Sequence, residues 1–186
     1  MFLFGLYDWF FSPSPIKVYV ARAMSGRIKE EVVKDANRDK TMLECVGFIV
    51  FDPVTSEGVR PTKEILLASK QQMDMFWKRD KEMIRQAHIL LNMSPHLASL
   101  GVIREYGYAR FHLWKKTISI FPEGFLPKEG AVCYYEDDHV TDDLTDAIGE
   151  CLRTHATRWK RLKWRLGIYN KSWLKAVKYR LLEWVR

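Results

Sequence analysis

The feature that most constrains the fold is the short run HILLNM at residues 88–93, which is apolar on both of its faces. Strands of this kind are typical of parallel sheets that are covered by helices on both sides. Helical patterns flank the run, at residues 73–86 before it and 101–114 after it. The run therefore predicts an α/β fold in which short strands alternate with helices.

The same alternation extends along most of the chain. Short runs rich in β-branched and aromatic residues predict strands at residues 16–21, 47–51 and 117–121, with 131–135 as the candidate fifth strand. Gly47 is the expected end of the first helix, as a C-cap glycine would be. Helical spacing predicts that helix and two others at residues 28–46, 63–72 and 140–153.

The predicted sheet has five parallel strands and is doubly wound, with helices on both faces. Right-handed crossovers place the loops that follow the strands on one edge of such a sheet. If the strand order is 2-1-3-4-5, the loops at residues 22–27 and 94–100 face each other across the crevice where open α/β sheets bind ligands. A third loop is predicted at residues 53–61, after the second strand.

Charge is distributed unevenly along the chain, which carries a net charge of +7. Residues 153–186 contain eleven Lys and Arg but only one acid, Glu183, so this segment carries +10 and the remainder −3. Its tryptophans and helical spacing leave three interpretations: a helical extension packed on the body or on another subunit, a membrane-surface helix, or a nucleic-acid-binding segment. We expect packing, with membrane contact as the second choice.

The first eleven residues are almost wholly apolar and precede the stiff sequence SPSP at residues 12–15. They lack the early positive charge and the small-residue cleavage site of a secretory signal. We interpret them as an arm packed against the body or another subunit, with an interfacial membrane anchor as the alternative. The predicted organisation is an arm at 1–15, an α/β domain at 16–152 and the basic extension at 153–186.

Cysteine usage bears on the compartment. Cys45, Cys133 and Cys151 are too scattered for a zinc site or a disulfide scaffold, which favours a reducing setting. No apolar run reaches the roughly 18 residues that a membrane-spanning helix needs. We expect a cytoplasmic protein, associated with membranes only if the basic extension binds lipid.

Acidic and hydroxyl side chains surround the predicted crevice. Glu105 falls near the start of the helix after the third strand, and a helix N-terminus stabilises a carboxylate, so we expect Glu105 to be ionised. An ionised carboxylate there can act as a nucleophile or stabilise a cation. The alternative is an acid that serves only the helix dipole.

Four further residues have both a functional and a structural interpretation. Ser99 and Gly101 stand at the start of the same helix, where a hydroxyl and backbone N–H groups can bind phosphate, although serine before glycine is common in loops. Asp80 lies in the charged run RDKE, which by itself indicates a solvated helix surface. Tyr19, on the first strand, is by itself more typical of a core residue.

Considered together, these residues match a known pattern. The sequence VYVARAMSG at residues 18–26, an aspartate eight residues ahead of the third strand, and SLGVIREYGYA at residues 99–109 resemble the nucleoside 2-deoxyribosyltransferase-like superfamily. Within it the chain is most similar to the 2′-deoxynucleoside 5′-phosphate N-hydrolases, over residues 16–122. The resemblance implies a Rossmann-like fold, a homo-oligomer such as a dimer, and no metal or organic cofactor.

The resemblance also implies roles for the candidate residues. Glu105 would attack C1′ of the sugar, Asp80 would hold or protonate the leaving base, and Tyr19 would orient Glu105. Ser99 stands where deoxyribosyltransferases carry an acid for the sugar 5′-hydroxyl, whereas the serine of the hydrolases binds a 5′-phosphate. The other residues expected to bind substrate are Gly101 and the loop residues Arg22, Ala23, Ser25, Gly26 and Arg27.

The implied activity is hydrolysis of the N-glycosidic bond of a (deoxy)nucleoside 5′-monophosphate. Transfer of deoxyribose to a second base and nucleotide binding without catalysis are the alternatives. Three positions depart from the hydrolase pattern: Ala23 replaces a serine, His88 replaces an aspartate, and Arg104 precedes the glutamate. We expect any difference in substrate or activity to originate at these positions.

Overall fold

The computed structural model describes residues 15–24, 27–57, 70–95, 99–123 and 137–155 of the 186-residue chain. The predicted N-terminal arm, the strand predicted at 131–135 and the basic extension beyond residue 155 lie outside the described residues. Ser25, Gly26 and most of the helix predicted at 63–72 lie outside them as well. The three-part organisation of the chain therefore stays a prediction.

Five parallel strands form one sheet. They are β1 (Lys17–Ala21), β2 (Ile49–Phe51), β3 (Ile89–Asn92), β4 (Lys116–Ile120) and β5 (His139–Thr141). Their order is β2-β1-β3-β4-β5, as predicted, so the loops after β1 and β3 are neighbours at the carboxyl edge of the sheet. The expectation of a doubly wound, Rossmann-like sheet is confirmed.

Helices flank the sheet. They are α1 (Lys29–Cys45), α2 (Pro53–Glu57), α3 (Lys70–Gln86), α4 (Leu100–Gly107) and α5 (Leu144–His155), and α4 continues into a π-helical turn at Tyr108–His112. As predicted, α1 ends just before Gly47. The φ of Gly47 is +83°, which is costly for any residue with a Cβ. Glycine adopts this φ easily, so the chain can turn sharply into β2 here.

Alternate side chains of the central strands fill two cores. On one face, Val18, Leu91 and Ile118 pack with Leu43 of α1 and Ile148 of α5. These side chains are almost completely buried, and each aliphatic group contributes about 1.5–3 kcal/mol of transfer free energy. This core fixes the register of the strands.

The opposite face of the sheet supports the two helices that carry the candidate acids. Tyr19 and Leu90 pack there with Ile84 of α3 and with Val102 and Tyr106 of α4. Tyr19 has no solvent exposure. The side chain of Tyr19 therefore faces α3 and α4, on which Asp80 and Glu105 lie.

The start of the last helix differs from the prediction. Residues 139–141 form β5 instead of the first turn of that helix. The helix begins later because the Asp143 carboxylate accepts the N–H of Thr145 at 2.8 Å and so caps it at this point. The three-residue strand is too short to give a pattern of its own in the sequence.

The loop predicted after the second strand also begins differently. Its first five residues form α2. Asp52 accepts the N–H of Val54 at 2.9 Å, as an N-cap does, and Pro53 suits the first helical position because it has no N–H to satisfy. The Asp-Pro pair is therefore a helix start here as well as a strand end.

Candidate active site

Tyr19, Asp80 and Glu105 meet between the sheet and helices α3 and α4. Burial raises the pKa of the Tyr19 hydroxyl well above its usual value, and the nearby Glu105 and Asp80 carboxyls raise it further. Each residue comes from a different element, β1, α3 or α4. The fold thus brings together the three residues that were predicted from the sequence to be catalytic.

The surroundings of Glu105 act against the prediction that its carboxyl is ionised. Burial, followed by the charge of Asp80, raises the pKa of Glu105 well above that of an ordinary glutamate. Part of the residue is accessible to solvent, but its carboxyl is enclosed by protein. Glu105 lies in the second turn of α4, and the helix dipole acts mainly on the first. Burial and Asp80 therefore disfavour the ionised form of Glu105 that the sequence predicts, and the helix dipole does little to offset them.

Asp80 is enclosed more than its charged sequence neighbours indicate. The residue is partly buried, and within the described ranges its Oδ1 has no hydrogen-bond partner. Burial raises the pKa of Asp80 to about 6, while Arg79 opposes this by lowering it. A carboxyl that titrates near neutral pH can exchange a proton with a bound molecule. The interpretation of Asp80 as solvated helix surface does not hold.

The Tyr19 hydroxyl approaches the carboxyl of Glu105. This interaction lowers the pKa of Glu105, although burial and Asp80 outweigh it. The contact is loose, because the hydroxyl has no partner at full hydrogen-bond geometry among the residues described. Catalytic hydrogen bonds are often long without substrate, and a shorter contact here would stabilise the ionised form of Glu105.

The start of α4 offers groups for a phosphate. Ser99 is the N-cap residue, yet its side chain makes no capping hydrogen bond, so its hydroxyl is not used by its own helix. A Cβ added at Gly101 would meet the Ser99 Oγ at 3.7 Å, an ordinary contact distance. Among the residues described, packing does not require glycine at position 101.

The loop after β1 is held by ion pairs. Arg22 is buried, and its terminal nitrogens lie 3.2 Å from Asp39 and 3.3 Å from Asp52. Arg27 lies 2.7 Å from Asp35 and is partly exposed. Ala23 is buried, while Ser25 and Gly26 lie outside the described residues. The two arginines predicted to bind substrate therefore have acidic partners within the protein.

A cavity of about 650 Å³ opens at the carboxyl edge of the sheet beside this loop. It lies between the loops after β1, β3 and β4 and the start of α5. Its lining includes Arg22, Arg27, Ser94, Phe121 and Asp142, but none of Tyr19, Asp80 and Glu105. The arginines of the loop therefore face a space on the α1 side of the sheet, apart from the three catalytic candidates.

Three residues of this region were missed by sequence reasoning. Asp39 and Asp52 neutralise Arg22, but an aspartate inside a helix and one before a proline gave no sign that they would meet. Asn92, at the end of β3, is fully buried, and its Oδ1 accepts the N–H of Ser94 at 3.1 Å. A polar residue that ends an apolar strand was the available signal for Asn92.

His88, which replaces the aspartate of the family pattern, lies away from the crevice. Its Nδ1 accepts the backbone N–H of Lys17 at 3.1 Å, at the amino edge of the sheet. Burial lowers the pKa of His88, and the charges of Lys115 and Lys17 lower it further, which favours the neutral ring that can accept this bond. The histidine thus links β1 and β3, and its effect is on the sheet.

In the part of the chain that the structure describes, no group of three or more His, Cys, Asp and Glu side chains could hold a metal ion. Over the same residues, none of the helices is long and apolar enough to cross a bilayer.

Comparison with known proteins identifies the fold. No family model matches the sequence, and no curated protein matches it. A conserved protein from Enterococcus faecalis V583 matches with a TM-score of 0.53 at 10% identity, over 75% of this chain and 99% of that one. The 2-deoxyribosyltransferase of Bacillus psychrosaccharolyticus matches with a TM-score of 0.52 at 18% identity, over 71% of this chain and 90% of that one.

A third solved structure, the CMP N-glycosidase of Clostridium botulinum, matches at 17% identity over 72% of this chain and 95% of that one. Its TM-score of 0.44 is too low to carry an argument. The first two matches establish that the chain has the fold of a 2-deoxyribosyltransferase, which is the fold that the sequence resemblance implied.

Proposed function

We propose that the protein cleaves the N-glycosidic bond of a (deoxy)nucleoside 5′-monophosphate, with Glu105 as the nucleophile. The observation that carries the proposal is the enclosed pair of Asp80 and Glu105 beside a buried tyrosine hydroxyl. The likeness in fold to a 2-deoxyribosyltransferase supports it, because that enzyme acts on the same kind of bond.

The two acids are suited to divide one proton between them. The charge of Asp80 disfavours ionisation of Glu105, as for closely placed acids in general. A proton on Asp80 removes its charge from the neighbourhood of Glu105, so Glu105 can then ionise. The reactive form is therefore protonated Asp80 with ionised Glu105, stabilised by the hydroxyl of Tyr19.

The chemical steps follow those of a retaining glycosidase. A carboxylate oxygen of Glu105 bonds to C1′ while the bond from C1′ to the base nitrogen breaks. The bonding electrons leave with the base, which takes the proton of Asp80. Water then attacks C1′, passes a proton to Asp80 and releases Glu105 as a carboxylate. An acceptor base in place of water would give transfer instead of hydrolysis.

The start of α4 supports a phosphate-bearing substrate. Backbone N–H groups at a helix start and a hydroxyl that caps nothing favour an anion at this position. An acid at position 99 would repel a phosphate, whereas Ser99 does not. The nucleotide is therefore preferred to the nucleoside in this proposal.

A substrate panel tests the function. The protein is incubated with nucleoside 5′-monophosphates and nucleosides, with and without an added free base, and release of base is followed by chromatography. We expect base release from one or more nucleotides without an acceptor. Turnover only with an acceptor base would favour transfer, and nucleotide binding without any turnover would favour a silent binding module and overturn the proposal.

A further inference from the structure

Arg104, which departs from the family pattern immediately before the candidate nucleophile, stacks on an aromatic ring. Its guanidinium carbon lies 4.1 Å from the centroid of the Trp77 ring. Trp77 is on α3, three residues before Asp80, so the two share a face of that helix. The stacked pair therefore spans the two helices that carry the acids.

Further contacts hold this pair in place. The ring of Tyr108 meets Trp77 edge-on, with 5.6 Å between the ring centroids. The Tyr108 hydroxyl accepts a hydrogen bond of 2.9 Å from Nε of Arg85 on α3. We call Trp77, Arg104, Tyr108 and Arg85 the aromatic clasp. The clasp joins α3 to α4 and its two arginines are exposed, whereas the carboxyls of Asp80 and Glu105 are enclosed.

The position of Arg104 matters because of its charge. A guanidinium within about 4–6 Å of a carboxylate favours the ionised form of that carboxylate. Arg104 directly precedes Glu105, and Trp77 lies one helical turn before Asp80, yet Arg104 is not among the charges that shift the pKa of either acid. Stacking on a tryptophan ring gives the cation a competing position, with an attraction of about 0.5–2 kcal/mol.

The other groups around the acids are a phenol, a third acid and two cations of α3. The Tyr19 hydroxyl approaches the acids from β1. Asp52, which follows β2, also raises the pKa of Glu105, but less than burial and Asp80 do. Arg79, beside Asp80 on α3, is the cation that acts on Asp80. Lys81 lies 5.7 Å from the Trp77 ring, on the side of the clasp.

We propose that Trp77 is a positioning residue that keeps the guanidinium of Arg104 away from Asp80 and Glu105, so that Asp80 can hold the proton for the leaving base. The proposal rests on the proposed function, but it concerns the protonation of Asp80, which can be measured without turnover. It also explains Arg104: an arginine beside the nucleophile is tolerated because α3 supplies a ring to bind it.

Carboxyl titration by NMR in four proteins tests the proposal. The proteins are the wild type, Trp77→Leu, Arg104→Gln and the double variant. Loss of the ring should free Arg104 and lower the pKa of Asp80 from about 6 by about one unit. Arg104→Gln should leave that pKa near its wild-type value, and the double variant should restore it, because no cation remains to be released.

The double variant separates this role from a purely structural one. If Trp77 only packed α3 against α4, Trp77→Leu and the double variant would show the same pKa, and that result would overturn the proposal. An unchanged pKa in Trp77→Leu would do so as well. Should Trp77→Leu fail to fold, Arg104→Lys provides the test, since lysine stacks less well and should lower the Asp80 pKa where glutamine does not.

Activity gives an independent readout if the proposed function is correct. Asp80 must be protonated to serve the leaving base, so its lower pKa in Trp77→Leu should move the alkaline limb of the pH–rate profile to lower pH. At pH 7 the protonated fraction, and with it kcat, should fall about tenfold while KM changes little. A wild-type protein without turnover would refute the proposed function, and the titration would still decide the role of Trp77.

Discussion

Two clusters of buried charge lie on either side of the sheet, and they are neutralised in different ways. On the α1 side, Arg22 stands between Asp39 and Asp52, within 3.3 Å of each. On the α3 and α4 side, Asp80 and Glu105 share an enclosed site, and the described residues place no such cation between them. Burial raises the pKa of Asp52, but Arg22 and two backbone hydrogen bonds oppose it, whereas for Asp80 only Arg79 does so.

The contrast indicates which cluster serves structure and which serves chemistry. A buried acid with a buried cation is satisfied by the protein alone and needs no ligand. Two enclosed acids without a buried cation beside them are costly in the unliganded protein, and such arrangements concentrate at functional sites. The cost is offset when a substrate brings developing positive charge at the sugar and a base that accepts a proton.

The largest expected effect is on the acid pair. Glu105→Gln keeps the shape of the side chain but removes the nucleophile, so base release should fall at least about a thousandfold while nucleotide binding is retained. Turnover by chromatography and binding by calorimetry measure the two effects. Glu82→Gln, on the exposed face of α3, is the matched control and should leave both unchanged.

The next effect is on stability, in the other cluster. Arg22→Met leaves Asp39 and Asp52 buried without their cation, so the free energy of unfolding should fall by about 3–5 kcal/mol in urea denaturation. Arg38→Gln removes a half-exposed guanidinium that lies 3.0 Å from Asp39, and should cost no more than about 1 kcal/mol. Equal costs for the two variants would contradict the assignment of Arg22 to a structural role.

A pH series distinguishes the clusters through Asp80. Its pKa in the folded protein lies above its ordinary value, so the folded state binds the proton more tightly and stability falls as pH rises from about 4 to about 6. Asp80→Asn should remove this part of the fall and make the protein more stable than the wild type near pH 7. Asp74→Asn, exposed on the same helix, should change the urea midpoint little at any pH; similar profiles for both variants would refute the prediction.

The smallest expected effect concerns Ser99. Ser99→Ala removes one hydroxyl from the start of α4, so nucleotide affinity should fall by about tenfold, the size of one hydrogen bond to a charged group. Nucleoside affinity should be almost unchanged, because the missing partner is the phosphate. Calorimetry with a nucleotide and its parent nucleoside gives the ratio, and equal losses would mean that Ser99 does not contact phosphate.

The α/β fold could be predicted because it depends on patterns with a strong physical basis, whereas the strand order was a condition that the structure meets and the meeting of the three catalytic candidates was implied by the resemblance. An apolar run between helices predicts a parallel strand, and the order 2-1-3-4-5 places the ends of β1 and β3 together. The roles of Tyr19, Asp80 and Glu105 came from the resemblance, since alone Glu105 had an equally good structural interpretation and the other two had a better one.

What could not be predicted depends on contacts between distant elements. Burial and Asp80 raise the pKa of Glu105, and only the packing of α3 against α4 reveals both causes. The stacking of Arg104 on Trp77 has the same origin. Arg22 was assigned to the substrate because arginine binds phosphate, but Asp39 and Asp52, from α1 and the end of β2, occupy its guanidinium.

Pairing of β1 with β3 has a consequence for the order in which the site is completed during folding. Helix α3, strand β3 and helix α4 are consecutive in the chain, so Asp80 and Glu105 are separated by only 25 positions in sequence. The bond between His88 and Lys17 closes a separation of 71 residues, and contacts at such separation form slowly. In a folding chain, Asp80 and Glu105 should therefore come together before the Tyr19 hydroxyl reaches Glu105. The docking of β1 then determines when the site is complete.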